Sequence, residues 1–129
     1  MKKWIGTMAM MACTIAITVA IPSSALAHDA KPKHGGMVRE VGELQFELVY
    51  KAGSAKIYVE DHDKIYSTVG ASGKLTVLNG AEKTEVALHA TGENGLESKE
   101  DAKLAPGAKV VALITFADKK TVSVRFAVK

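Results

Sequence analysis

An all-β domain is what this sequence predicts, and three observations predict it. Apolar and polar residues alternate with a period of two in run after run. Turn signals built on glycine, asparagine and aspartate recur every ten residues or so, the spacing of small β-sandwiches. Past residue 27 no segment carries a convincing helical period.

Residues 1–27 follow a different pattern. Lys2 and Lys3 make a positive start, and residues 4–21 are uncharged and mostly apolar. Pro22-Ser23-Ser24 breaks that run, and Ala25-Leu26-Ala27 is an A-x-A cleavage site. A run of this length could just span a bilayer. The breaker and the small-residue site mark it instead as an export signal that is removed. The mature chain then begins at His28 with no membrane anchor, and about 100 residues suffice for one packed core.

Lys2 and Lys3 supply most of the formal charge of +3, so the mature protein is close to neutral. Nothing in that balance points to nucleic acid. Cys13 is the only cysteine and lies inside the apolar run, ahead of where a lipid-anchoring cysteine would stand. The expected location is the periplasm or the extracellular space, without a disulfide. Any metal there must use imidazole, carboxylate, thioether or the free amine.

Pro32, Gly35 and Gly36 among polar neighbours make residues 28–36 an extended, mobile arm, and residues 37–129 form the domain. Residues 37–41 are a first short strand, and Gly42-Glu43 turns the chain. Leu44, Phe46, Leu48 and Tyr50 alternate with Gln45, Glu47 and Lys51 in the next strand, which Ala52-Gly53-Ser54 ends. Ile57 and Val59 alternate with Lys56, Tyr58 and Glu60 as far as Asp61-His62-Asp63. A loop holding Gly70 and Gly73 follows.

Residues 74–78 and 84–88 flank Asn79-Gly80, a strong hairpin signal. Glu93-Asn94-Gly95 turns into a weak strand near Leu96, and Ala105-Pro106-Gly107 closes a polar stretch. Val110, Ala112, Ile114 and Phe116 then alternate, and past Asp118-Lys119 so do Val122, Val124, Phe126 and Val128. The count is seven or eight strands.

Enzyme signatures are missing. There is no G-x-S-x-G and no H-E-x-x-H. Gly73-Lys74 ends like a phosphate loop, but Thr68 stands where its first glycine belongs and Leu75 where Ser or Thr belongs. The chain reads as a non-enzyme, and its histidines point to metal.

His28 becomes the first residue after cleavage, so its α-amine and imidazole can chelate one ion together. That two-nitrogen bite suits Cu(II). Its plain alternative is a polar residue that happens to follow the cleavage site. His34 stands six positions later, before Gly35-Gly36, and a flexible arm can bring both imidazoles to one ion. The alternative is a solvated histidine at a glycine hinge. Met37 offers a thioether suited to Cu(I), or else opens the first strand as a core residue.

His62 is the third candidate imidazole. Strand alternation puts it on the face opposite Asp61 and Asp63 unless the chain turns there, as aspartates favour. His89, out of phase with Val86 and Leu88, is expected to face water.

The run H-G-G-M-V-R-E-V-G-E-L-Q-F-E-L-V, residues 34–49, resembles an H-G-G-x-V-x-E-x-G-x-x-x-x-E-L-V pattern. That pattern belongs to small exported proteins of heavy-metal resistance systems. It is similar to the opening of the extra N-terminal domain of some periplasmic adaptor subunits of metal-efflux pumps. The likeness continues through Tyr58-Val59-Glu60-Asp61-His62-Asp63 and Gly70-Ala71-Ser72-Gly73. Where such proteins continue D-H-D-G-K-P-V, this chain has Lys64-Ile65-Tyr66 after Asp63. The resemblance implies a periplasmic β-sandwich linked to metal efflux, in which His34 and His62 match histidines of the pattern.

The expectation is therefore a small immunoglobulin-like β-sandwich behind a cleaved signal. It would bind a transition-metal ion, copper first and zinc second, through His28, His34, His62 and Met37. It would buffer that ion or deliver it to an efflux pump or its periplasmic adaptor. The alternative is an interaction module that docks on an efflux complex and binds no metal.

Overall fold

The computed structural model describes residues 31–129. The expected signal peptide and His28 lie outside the described residues. Nine strands account for the fold, and among the described residues there is no helix. They are β1 (Met37–Val41), β2 (Leu44–Lys51), β3 (Ser54–Asp61), β4 (Lys64–Ile65), β5 (Ser72–Asn79), β6 (Glu82–Thr91), β7 (Gly95–Ser98), β8 (Lys109–Thr115) and β9 (Thr121–Ala127). The all-β class read from the sequence holds, and the strand near Leu96 is β7. The two-residue β4 is an addition that no alternation could reveal.

Tight turns set the register. Val41 pairs with Leu44 across Gly42-Glu43, and Lys51 with Ser54 across Ala52-Gly53. Ala52 and Gly53 both have positive φ, 50° and 83°, which a type I′ hairpin needs to match the right-handed strand twist. The hairpin signalled by Asn79-Gly80 forms one residue further on. Asn79 pairs with Glu82, so Gly80 and Ala81 are the loop. Gly80, at φ 60°, is then the first loop residue, where a type II′ turn requires glycine.

All ladder pairs are antiparallel, in the order β1-β2-β3-β7-β6-β5-β8-β9, with β4 on β3 beyond the end of β7. β1 and β9, the two ends of that order, lie against each other. The expected sandwich thus takes the form of one continuous sheet rolled nearly into a barrel. Full closure would leave no sheet edge open to unwanted pairing.

The alternation decides what fills the barrel. Phe46 and Leu48 of β2, Ile57 and Val59 of β3, Leu75 and Val77 of β5, and Val110, Ala112 and Ile114 of β8 point inward and are buried. Val124 and Phe126 of β9 close the far wall. Residues 99–108 bring Ala102, Leu104 and Ala108 into the same core, and the Ala102 N–H donates to the Gly53 carbonyl at 3.1 Å. Tyr66 meets Phe116 edge to face, with centroids 5.1 Å apart.

Inward and outward positions should differ sharply in cost. Phe46, at 0% exposure, should lose about 3–5 kcal/mol on truncation to alanine, because the barrel wall cannot collapse into the space. Leu113, 42% exposed on the outer face of β8, should change stability by about 0.5 kcal/mol or less on the same truncation. Equilibrium urea unfolding of the two variants checks both, and comparable losses would mean the inward face is misassigned.

Candidate functional site

Glu47 holds the arm on the sheet. It points outward from β2 between the inward Phe46 and Leu48, yet it is only 6% exposed, because residues 33–36 fold over it. A buried carboxylate needs partners, and the arm supplies them. The backbone N–H of Lys33 donates to Oε1 at 3.0 Å, that of His34 to Oε2 at 2.8 Å, and that of Gly36 to Oε2 at 2.9 Å. The His34 ring adds a fourth partner, with Nδ1 2.9 Å from Oε1.

The sequence permits this wrap through its two glycines, each for its own reason. Gly35 sits at φ +73°, so the amides on either side of it converge on one anion, the backbone arrangement of an anion nest. Gly36 packs so closely that a Cβ would lie 2.3 Å from the Leu48 carbonyl oxygen. A side chain at Gly36 would have to lift the arm, whereas one at Gly35 has room and would strain only the backbone.

Side chains extend the clasp onto β3. The His34 ring stacks on Tyr58, with centroids 3.7 Å apart and planes within 5°. Tyr58 is the ladder partner of Glu47, so pairing of β2 with β3 places both under the arm. The Lys56 ammonium lies 4.8 Å from the Tyr58 centroid. Lys33 reaches Glu60 near the end of that strand, at 2.7 Å, and Asp63 in the turn beyond it, at 3.6 Å.

Electrostatics fix the tautomer of His34. Burial pushes the Glu47 carboxyl up, but the bonds from the His34 ring and from the Gly36, His34 and Lys33 amides outweigh it and hold the group below its ordinary range. Glu47 is therefore ionised at neutral pH and can only accept, so His34 Nδ1 carries the proton and donates it. In the neutral ring the lone pair then sits on Nε2. Metal-ligating histidines are commonly held in this way, one ring nitrogen on a carboxylate and the other presented to the ion. The donor set at His34 thus fits a soft or borderline cation through one nitrogen.

The other expected ligands are placed apart from it. Met37 pairs with Leu48 and packs against the core, on the opposite face of the sheet from Glu47 and His34. His62 and Asp63 are the two loop residues of the β3–β4 hairpin, at φ 47° and 66°. The chain turns there, so strand alternation does not apply to these residues. His62 is exposed at that tip, its ring bonded to the Asp61 carboxylate. The Lys33 bridge to Asp63 brings the arm alongside the tip. Among the described residues, no three His, Cys, Asp or Glu side chains gather as a metal-holding group.

His89 faces out from β6, as its phase implies, but it is half-buried. Its Nδ1 is enclosed with no hydrogen-bond partner among the described residues.

Glu47 is the residue of this candidate site that alternation does not single out, since alternation makes it one more outward polar position. The signal was nevertheless present, because the pattern resembled by residues 34–49 ends on the Glu47-Leu48-Val49 triplet. No protein family, curated protein or solved structure matches this chain. The fold and site define an all-β domain with an N-terminal arm clasped by a buried glutamate.

The clasp should depend on pH in one direction. The folded pKa of Glu47 lies below its ordinary 4.5, so its contribution is complete above that value and is lost as pH falls through the folded pKa. Protection of the His34 and Gly36 amides, relative to their intrinsic exchange at each pH, should be constant above 4.5 and fall only as Glu47 protonates below it. Glu47→Gln should lower protection at those two amides by ~10-fold or more at neutral pH, a difference that shrinks as pH falls through the Glu47 pKa, leaving β8 amides unchanged. Slow exchange at Gly36 in that variant would remove Glu47 from its role.

Proposed function

We propose that this protein is an exported, periplasmic or secreted carrier of a transition-metal ion, copper first and zinc second, that buffers the ion or hands it to an efflux system. One observation carries the reading: His34 is held by an ionised carboxylate at Nδ1, which leaves Nε2 as the presented donor. A single fixed nitrogen suits cargo that must leave again, because an incompletely coordinated ion exchanges readily with an acceptor. The remaining donors would come from residue His28, as imidazole and as α-amine once the leader is removed. His62 and Met37 are secondary, given their positions at the hairpin tip and on the core face.

A second reading has its own support. The clasp is complete without an ion, since chain atoms already satisfy the Glu47 carboxylate and the Lys33 ammonium. On that reading the arm is a shaped surface of a module that docks on an efflux complex and binds no metal.

Cu(II) competition titration of the processed protein separates the two. The carrier should bind one equivalent, with affinity falling steeply between about pH 7 and pH 5 as protons compete for imidazole. His34→Ala and His28→Ala should each lose ~10-fold or more, about 1.4 kcal/mol. One glycine added before His28 should weaken binding similarly, by converting its amine to a peptide nitrogen with a delocalised lone pair. Absence of stoichiometric binding, or a flat profile across that pH range, would leave only the docking module.

A further inference from the structure

Of the chain's 17 lysines and arginines, only Arg39 and Arg125 are arginine. Both line one groove of about 480 Å³, where β1 lies against β9. They reach it from different strand phases. Arg39 pairs with Phe46 on the inward phase of β1, yet it is exposed. Arg125 pairs with Val111 on the outward phase of β9, between the buried Val124 and Phe126. Lys109, Ser123, Glu40 and Val41 also line the groove.

The charge gathered there is not neutralised. Every ion pair among the described residues takes lysine or histidine as its cation, and none uses Arg39, Arg125 or Lys109. Glu40 is the one carboxylate on the groove, and it accepts a hydrogen bond from Gln45 Nε2 at 3.1 Å. Three cations against one carboxylate leave an excess of two positive charges. A concave surface lined by one sign of charge concentrates ions of the other. That two of the cations are guanidinium groups narrows the ion. Each presents a planar fork that can bond two oxygens of one oxyanion, whereas an ammonium is a point charge.

We propose that this groove binds a phosphate monoester, with Arg39 and Arg125 clamping its oxygens, Lys109 adding charge and the Ser123 hydroxyl donating to it. A monoester carries a charge of about −1.5 to −2 at neutral pH, which matches the excess on the groove, while a carboxylate supplies half. The volume lies within the range of small-molecule sites, so the esterified body has room beside Val41. Every contact is made by a side chain, and the approach of β9 to β1 is what builds the site. The site shares no residue with the metal reading, so either can fail alone.

The test titrates glycerol 3-phosphate into the 15N-labelled protein recovered from export, with sodium acetate at equal ionic strength as the control. The expected result is saturable amide shifts concentrated in residues 39–41 and 123–127, with a Kd on the order of 1 mM or tighter. Arg39→Lys combined with Arg125→Lys keeps the charge and removes both forks, and it should weaken binding by ~10-fold or more. Because both side chains are exposed, β5 and β8 amides should keep their positions in that variant. A second arm sediments the protein with phosphatidylcholine vesicles, with and without phosphatidic acid. Binding of the soluble ester supports the proposal and makes the ligand a soluble one. Sedimentation that requires phosphatidic acid and is lost in the double variant, without binding of the soluble ester, supports it with a lipid headgroup as the source. The proposal is overturned by no binding in either arm, by shifts of equal size with acetate, by shifts centred elsewhere, or by full affinity in the double-lysine variant.

Discussion

A single buried carboxylate determines how the N-terminal part of this molecule is arranged. Glu47 is outward by strand phase and buried only because the arm covers it. An ionised group in that position is costly unless several donors surround it. Three backbone amides and one imidazole do so, and all four come from residues 33–36. The arm therefore folds back as a unit. Losing one donor leaves the carboxylate under-satisfied, which weakens the case for the other three.

That constraint explains a long stretch of sequence at once. Gly35 supplies the positive φ and Gly36 the close approach over Leu48. Tyr58 offers the flat surface on which His34 stacks, and Glu60 and Asp63 receive Lys33. These residues are scattered along the chain, yet the β2–β3 ladder sets Glu47 opposite Tyr58 and Gln45 opposite Glu60. The H-G-G, E-L-V and Y-V-E-D-H-D segments are thus parts of one contact network.

Much of the fold was legible in the chain, because inward and outward positions follow a period of two that burial enforces. Phe46, Ile57, Val110 and Val124 were placed inward by alternation alone, and they are buried. The Asn79-Gly80 turn was read one residue early, since asparagine and glycine are both turn formers and only the pairing of Asn79 with Glu82 decides between frames. β4 escaped because two residues carry no period. The roll of the sheet escaped too, as alternation within strands says nothing about which strands end the sheet. Glu47 was hidden for a deeper reason. Its burial comes from a segment outside the sheet, and no pattern local to β2 encodes that cover.

The clasp also changes what His34 can do. A histidine on a loose arm can offer either ring nitrogen and many directions, and it loses conformational freedom on meeting an ion. Here the Glu47 bond selects Nε2, and the Tyr58 stack fixes the ring plane before any ligand arrives. On the carrier reading proposed above, any affinity gained by such preorganisation would come from order already present in the free protein. The glutamate that holds the arm by three backbone amides also orients the imidazole, through the fourth bond from Nδ1. Stability and presentation at this site therefore have one cause, and a change that loosens the arm must also unfix the nitrogen.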